Sequence, residues 1–352
     1  MDERAREFLT ELLETQAPTG FEAAAQRVWV DYVASFADEV RTDAYGNAVA
    51  VHEGGDTEVA VVGHGDEIGF VVRRIDDDGY LHLARAGGTD RTVSRGQHVT
   101  VLGDEGPVHG VIGQTAIHLR DGDEDEVAEI SEQYVDIGVD DRDAAAALVD
   151  FGDPIAVAST VHDLQGSRLT GRAMDNRTGV WTAAETLRRA AERDVDATVY
   201  AVSTVQEEVG ANGAQMVGFD LDPDAAVVVD VTHATDTPGL PGKMDTGVEL
   251  GGGPSVRRGR PDHPELVAAL RAAADEGDID VQMEAASNST LTDANAIFVQ
   301  QGGIPSVNVG VPTRYMHTPV EVIDTEDLTA GVDLVTTFAD GAADLAPFEV
   351  SL

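Results

Sequence analysis

Five side chains of the types that bind divalent metal ions stand after strand-like runs of the sequence or at the start of a helical pattern. Two are histidines and three are carboxylates: His64, Asp175, Glu208, Asp230 and His317. Imidazole combined with carboxylate suits Zn²⁺, Co²⁺ or Mn²⁺. Five such ligands are enough for two ions that share one carboxylate, with the ions about 3.5–4 Å apart. The sequence therefore predicts a two-metal centre, provided that the fold brings these residues together.

Two further carboxylates are candidates to assist this centre. A pair of metal ions that acidifies a water still needs a proton acceptor that is not itself a ligand. Glu207 fits this role because adjacent side chains point in different directions, which leaves Glu208 for the metal and Glu207 for the water. Asp66 lies two residues beyond His64, where it can accept the free imidazole N–H and fix the ring.

Taken singly, most of these residues have an ordinary structural interpretation. An aspartate at the start of a helix, such as Asp175, is commonly an N-cap. The adjacent acids 207–208 are typical of a solvated acidic surface, and a lone histidine is more often structural, as we interpret the other eight histidines. Asp230 is the exception, because a carboxylate ending an apolar strand is costly to bury unless it is paired or metal-bound. The metal hypothesis depends on the convergence of all five candidates.

Alternating strand and helix patterns supply a reason for that convergence. The apolar, strand-like runs are 58–63, 198–204, 225–231 and 306–309, and helical patterns cover 4–15, 21–36, 178–193 and 265–274. This alternation predicts an α/β fold with a mostly parallel central sheet and helices on both faces. Open sheets of this kind place their sites beyond the carboxyl ends of the strands. All five candidates are therefore expected at one edge of the sheet.

The alternation of strands and helices is interrupted between about residues 71 and 165. Short alternating strands are separated by turn clusters such as 76–79, and the one helical segment, at 143–148, is short. Such spacing indicates a small inserted all-β domain, for which we predict a β-barrel. The predicted organisation is an α/β domain formed by residues 1–70 and 166–352, with an inserted β domain at 71–165.

The charge of the chain is strongly negative. The sequence has 65 Asp and Glu against 23 Lys and Arg, a formal net charge of −42. Because 42% of the residues are apolar and keep their periodicity, we expect a folded protein with a carboxylate-covered surface rather than a disordered chain. The mutual repulsion of these carboxylates destabilises a compact state unless salt screens it. We therefore predict a halophilic source and a requirement for high salt.

The composition also excludes several kinds of partner and chemistry. Nucleic acid is a poor partner, because phosphate binding requires clustered Lys and Arg. The chain has no cysteine, which excludes disulfides, thiolate nucleophiles and Cys-bound zinc. Residues 1–4 lead into an amphipathic segment rather than a signal peptide, and no run approaches the ~18 apolar residues of a membrane span. We predict a cytoplasmic protein with no membrane or nucleic-acid partner.

Five segments that contain these residues resemble those of a known family in the same order. They are GHGDEIGF at 63–70, RAMDNR at 172–177, QEEVG at 206–210, VDV at 229–231 and RYMHTP at 314–319. The sequence resembles the tetrahedral (TET-type) metallo-aminopeptidases, the group that includes glutamyl aminopeptidase and the cellulase M proteins. The resemblance implies that His64, Asp175 and Asp230 bind one ion. Asp175, Glu208 and His317 would bind the other, with Asp175 as the bridge.

The resemblance further implies an activity and an assembly. The chain would be an aminopeptidase that removes N-terminal residues from peptides, with two Zn²⁺ or Co²⁺ ions per subunit. Glu207 would be the general base and Asp66 would orient His64. The β insertion matches the dimerisation domain of the family, whose dimers form a hollow tetrahedral dodecamer.

The rival hypotheses are another two-metal hydrolase such as a deacylase, carboxypeptidase or dipeptidase, a glycosidase, and an inactive metal-binding cage.

Overall fold

A computed structural model describes residues 1–120, 127–242, 245–286 and 291–352. The helices are α1 (Glu3–Glu14), α2 (Ala23–Val33), α3 (Arg91–Ser94), α4 (Arg142–Ala146), α5 (Met174–Arg193), α6 (Asn212–Asp220), α7 (Pro264–Gly277), α8 (Ala294–Ile297) and α9 (Thr325–Leu345). The strands are β1 (Glu39–Thr42), β2 (Ala48–His52), β3 (Glu58–His64), β4 (Gly69–Ile75), β5 (Leu81–Ala86), β6 (His98–Gly103), β7 (Gly106–Ile112), β8 (Tyr134–Asp136), β9 (Pro154–Val157), β10 (His162–Asp163), β11 (Arg168–Gly171), β12 (Thr198–Thr204), β13 (Ala225–His233), β14 (Ser255–Gly259), β15 (Gln282–Ala286), β16 (Ser306–Thr313) and β17 (Glu321–Asp324).

The main sheet has eight strands in the order β1-β2-β12-β3-β13-β16-β14-β15. Its four central strands, β12, β3, β13 and β16, run parallel to one another, whereas β2 and β14 pair antiparallel with the outer members of that group. The register places His64 beside Thr204 and Asp230 beside Gly310. The predicted mostly parallel sheet is confirmed, with antiparallel pairing confined to its flanks.

Both faces of this sheet are covered by helices, because the strand side chains alternate between two cores. On β3, Val59 and Val61 face the larger core with helices α1, α2, α5, α7 and α9, while Ala60 and Val62 face the smaller core with α6 and α8. Strand β16 is buried along its whole length. Strands buried on both faces consist of continuous apolar runs, which is why the sequence identified them readily.

Between the two parts of the main domain, six strands close into an antiparallel barrel in the order β4-β5-β8-β7-β6-β9. Phe70, Leu83, Val101 and Ile155 belong to its separate apolar core. An inserted barrel is thus confirmed. Its strands run from residue 69 to residue 157, whereas we predicted an insertion at 71–165. Strand β11 pairs instead with β10 on one side and β17 on the other, in a separate three-stranded sheet.

Helix α9 is the largest element that the sequence analysis did not identify. It begins at the N-cap Asp324, whose side chain accepts a hydrogen bond from the backbone N–H of Glu326, and it buries Leu328, Val332 and Val335 against the larger core.

Within the part of the chain that the structure describes, no helix is long and apolar enough to cross a membrane.

Candidate metal centre

All seven candidate residues lie at the carboxyl-end edge of the four parallel strands. His64 is the last residue of β3, and residues 207–208 follow the end of β12 at Thr204. Asp230 lies within β13, three residues before its end, and His317 follows β16. Parallel strands end at the same edge of a sheet, so these loops meet there, as the spacing predicted.

The first group of possible metal ligands consists of His64, Asp175 and Asp230. The Nε2 atom of His64 lies 3.2 Å from Oδ1 of Asp175 and 3.7 Å from Oδ1 of Asp230. One donor atom from each of the three residues lies within 4.8 Å of the others, and all three residues are buried. A divalent ion with nitrogen and oxygen ligands fits this donor set.

The second group consists of Asp175, Glu208 and His317. The Nε2 atom of His317 lies 3.2 Å from Oδ2 of Asp175 and 3.8 Å from Oε1 of Glu208. Again the donor atoms lie within 4.8 Å of one another. Asp175 therefore faces His64 with one carboxylate oxygen and His317 with the other. This is the arrangement that a carboxylate shared between two ions requires.

Asp175 is held at the first turn of α5 by its neighbours rather than by a capping interaction of its own. The backbone of Asp175 and Asn176 is not helical, and Ala173 occupies the N-cap position. The side-chain amide of Asn176 donates to the carbonyl of Val229 at 2.8 Å and accepts from the N–H of Gly179 at 2.9 Å. The N-cap interpretation of Asp175 is thus wrong, and its carboxylate is directed towards the two histidines.

Asp66 contacts three of the other site residues and is fully buried. Its two carboxylate oxygens accept hydrogen bonds from the backbone N–H groups of Glu207, at 3.0 Å, and Glu208, at 3.1 Å. Its Oδ1 atom also lies 3.3 Å from Nδ1 of His64. Although burial opposes ionisation, the interaction with His64 lowers the pKa of Asp66. Asp66 therefore lies beside the imidazole that we expect it to orient, and it also binds the loop after β12.

The excess of buried carboxylates shifts several pKa values upward. Burial, followed by the charges of Asp230 and Asp293, raises the pKa of Glu207 to about 10 against the opposing effect of His64. Burial and the charge of Asp175 raise the pKa of Asp230 to about 7, and burial also raises that of Glu208. Such groups repel one another unless positive charge is placed among them. A bound cation would therefore reduce the repulsion among these carboxylates.

Two carboxylates at the site were missed by the sequence analysis. Glu321 is buried, and its Oε1 accepts from the N–H of His317 at 2.8 Å while its Oε2 accepts from the N–H of Met174 at 2.8 Å. Asp293 is 1% exposed, accepts a 2.5 Å hydrogen bond from the hydroxyl of Thr204, and lies among the charges that perturb Glu207. Neither follows an apolar strand, so no pattern in the sequence marked them.

A cleft of about 670 Å³ opens over both ligand groups. It is lined by Glu207 and by both histidines of the site, and it extends to Arg257, Thr292 and Met316. Its size is within the range of clefts that bind small ligands or the end of a peptide. Glu207 is 13% exposed and lies with Oε2 3.8 Å from Nε2 of His64, so it can reach both the cleft and the first group.

Comparisons with known proteins place the chain among peptidases. The model of the M42 glutamyl aminopeptidase family matches residues 46–334. A protein of Acetivibrio thermocellus is 34% identical over 323 residues, or 90% of this chain and 93% of that protein. The lysyl aminopeptidase of Pyrococcus furiosus is 31% identical over 332 residues, which cover 93% of this chain and 94% of the relative.

Solved structures agree with the family match. The crystal structure of a TET aminopeptidase from a marine sediment archaeon of the Thaumarchaeota superposes with a TM-score of 0.93 and 31% identity, covering 99% of this chain and 100% of the other. The TET1 peptidase of Pyrococcus horikoshii, which can assemble into a tetrahedron or a large octahedral shell, gives a TM-score of 0.85 at 27% identity and covers 95% and 99%.

Fold and similarity together define a peptide hydrolase of the aminopeptidase class. The chain belongs to the M42 glutamyl aminopeptidase family, since the family model matches well over half of the chain. The resemblance inferred from five short segments is thus confirmed, as is the predicted class of enzyme.

Proposed function

We propose that the protein is a two-metal aminopeptidase that removes single residues from the free N-termini of peptides. His64, Asp175 and Asp230 would hold one divalent ion, and Asp175, Glu208 and His317 would hold the other. The observation that carries this proposal is the pair of 3.2 Å distances from the two oxygens of Asp175 to the two imidazoles. Zn²⁺ and Co²⁺ both suit the nitrogen and oxygen donor set.

When bound, the two ions polarise the scissile carbonyl and increase the acidity of a water molecule. Glu207 is the residue best placed to accept the proton of that water. It borders the cleft beside the first group, and Asp66 holds its backbone N–H. Positive charge at the site lowers the pKa of Glu207 from its metal-free value of about 10, so that the carboxylate ionises. Glu207 would take the proton of the water as the water oxygen bonds to the scissile carbonyl carbon. It would then give that proton to the amine nitrogen as the C–N bond breaks.

The ions that this site would hold explain why a free N-terminus is the expected substrate group. Glu208 and Asp230 border the cleft, so an ion held by either would be open to the lone pair of a neutral terminal amine. An acetylated N-terminus has no such lone pair, because its nitrogen is part of an amide. Peptides with a free amino group are therefore the proposed substrates, and N-blocked peptides are the substrates that a deacylase would prefer.

We also propose that the chain self-associates through its barrel into dimers and then into a dodecamer. The support is the close structural similarity to TET peptidases, one of which forms tetrahedral or octahedral shells. Sedimentation velocity measured in high salt would show a species of about twelve chains, which electron microscopy would image as a hollow particle. A monomer at micromolar concentration and high salt would contradict this assembly.

Salt dependence is a further part of the proposal. The net charge of −42 on 352 residues makes mutual repulsion a large destabilising factor at low ionic strength. We propose that molar salt is required for the folded, assembled protein, as expected for a halophilic source. Circular dichroism and sedimentation measured along a KCl gradient test this. A protein that stays folded and assembled in metal-replete, low-salt buffer would contradict it.

The decisive activity experiment uses a panel of aminoacyl chromogenic substrates in high salt, with N-acetylated versions as controls. We expect cleavage of the free-amine substrates alone, loss of activity with a chelator, and recovery on addition of Co²⁺ or Zn²⁺. The panel also reveals whether an acidic or a basic N-terminal residue is preferred. Cleavage of the blocked substrates would instead indicate a deacylase. Tight metal binding without any hydrolysis would indicate an inactive cage.

A further inference from the structure

A loop of the barrel, Gly87–Thr89, reaches the second ligand group. It follows β5, and the carbonyl oxygen of Gly88 lies 3.2 Å from Nδ1 of His317. A carbonyl can only accept a hydrogen bond, so this contact requires a proton on Nδ1. The lone pair of a neutral imidazole is then on Nε2, the atom that faces Asp175. The barrel thus selects the tautomer that can bind a metal ion.

The approach of this loop leaves no room for side chains. A Cβ atom on Gly88 would lie 2.6 Å from Cε1 and 2.7 Å from Nδ1 of the His317 ring. A Cβ atom on Gly87, whose φ is +76°, would lie 2.9 Å from Cγ2 of Ile68 and 3.1 Å from Cβ of Glu208. Two consecutive glycines therefore pack against two ligands of the same group, His317 and Glu208. Neither contact involves the first group.

The loop is itself fixed to the barrel. The buried hydroxyl of Thr89 donates a 2.8 Å hydrogen bond to the carbonyl of Gly69, the first residue of β4. His317, by contrast, has a 34% exposed side chain, so packing alone does not hold its ring. The anchored loop supplies the support that the exposed ring lacks. His64 has no such need, since its side chain is 2% exposed.

From these contacts we infer that the Gly87–Thr89 loop of the barrel is a positioning element for the second metal ion, with the Gly88 carbonyl as its contact to His317. The barrel is then part of the metal centre in addition to any role in assembly. This inference rests on the proposed two-metal function. The loop would increase the affinity of the second ion and not that of the first. A domain that served only for stability or dimerisation would affect neither.

The test is calorimetric titration of the metal-free full chain with Zn²⁺ in high salt, comparing Gly88→Ala with Gly113→Ala. Gly113 is a matched control because it lies in the same barrel and its Cβ would meet nothing closer than 3.5 Å. Neither glycine has the positive φ that disfavours alanine. We expect two ions per chain in the wild type and in Gly113→Ala. In Gly88→Ala we expect one ion with unchanged affinity and one weakened at least about 10-fold.

The titration distinguishes a failure of the two-metal function from a failure of the role proposed for the Gly87–Thr89 loop. If the wild type binds fewer than two ions, the two-metal function is wrong. If the wild type and Gly88→Ala both bind two ions with the same affinities, the role of the loop is wrong. Should Gly88→Ala fail to fold, Thr89→Val decides, because it removes only the hydroxyl anchor. A several-fold weaker second ion in Thr89→Val supports the inference, and unchanged affinities overturn it.

Discussion

The two ligand groups share Asp175 but are held in different ways. His64 is the last residue of β3 and Asp230 lies within β13, both at the centre of the sheet, and their side chains are 2% and 9% exposed. His317 lies in a loop, has a 34% exposed side chain and adopts a left-handed backbone with φ of +62°. Its ring contacts Gly88 of the barrel, and its N–H is bound by Glu321.

One half of the site is therefore fixed by the sheet, whereas the other half depends on contacts from outside it. The His64 group follows from the sheet itself, because strand ends fix where its side chains lie. The His317 group relies on supports that come from remote parts of the chain. A non-glycine residue in the left-handed region costs of the order of 1–3 kcal/mol and persists only where its surroundings determine it. We therefore expect the second ion to be the weaker and more easily lost.

The substitution with the largest expected effect removes what the two groups have in common. Asp175→Asn leaves both histidines without the shared carboxylate, so both ions should bind weakly. Activity on free-amine substrates should fall by on the order of 10⁴-fold, as for residues that act as one unit. Metal content and turnover, measured beside the exposed control Asp31→Asn, check this. Retention of two tightly bound ions would exclude Asp175 as the bridge.

Glu207→Gln separates chemistry from metal binding. We expect both ions to stay, because Glu207 belongs to neither group, while turnover falls by about 10²–10⁴-fold through loss of the proton acceptor. Steady-state kinetics and metal analysis of the same sample provide the two readouts, with exposed Glu53→Gln as the control. A slight loss of turnover with full metal content would show that Glu207 is not the general base.

The pH dependence of stability tests the charge balance of the metal-free site. Burial raises the pKa of Asp230 to about 7, and the neighbouring carboxylates raise the pKa of His317. The folded state therefore binds more protons than the unfolded state, so the free energy of unfolding falls as pH rises from about 5 to 8, by on the order of a few kcal/mol. Saturating Zn²⁺ should reverse this slope. Urea unfolding at constant high salt measures the free energy of unfolding at each pH. A metal-free protein whose free energy of unfolding rises with pH would contradict this prediction.

The smallest predicted effect concerns a residue that acts through others. Glu321→Gln retains one acceptor oxygen but replaces the other by an amide nitrogen, so either His317 or Met174 loses its hydrogen bond. We expect the weaker ion to lose about 10-fold in affinity, with a smaller change for the tighter one. Zn²⁺ titration beside Glu53→Gln measures both. Equal weakening of the two ions would mean that Glu321 supports the site as a whole.

The same contrast explains how much could be predicted from the sequence. Strands β3, β12 and β13 are short apolar runs with polar residues at or after their ends, so their shared edge could be inferred, and with it the candidates His64, Glu208 and Asp230. Their order in the sheet was not inferred. The inserted barrel was recognised by its alternating strands and turns. Helix α9 was missed, although its N-cap Asp324 and the apolar spacing of Leu328, Val332 and Val335 were available as signals.

The supports of the second group had no comparable signal. Glu321 reaches the site because β17 pairs with β11, which places Glu321 beside Gly171, far away in the sequence. Gly88 reaches His317 only because the barrel packs against the main domain. Both contacts depend on the tertiary arrangement of segments whose local sequences indicate a strand and a turn. Local patterns therefore pointed to the candidate ligands but could not identify the residues that position them.

Anomalous diffraction from crystals of the protein grown with Zn²⁺ or Co²⁺ would locate the ions relative to Asp175. We expect two anomalous peaks per chain that share Asp175, one beside His64 and Asp230 and the other beside Glu208 and His317. After brief exposure to a chelator, the second peak should weaken first. A single peak, or ions bound away from Asp175, would contradict the shared-carboxylate centre on which the proposed function depends.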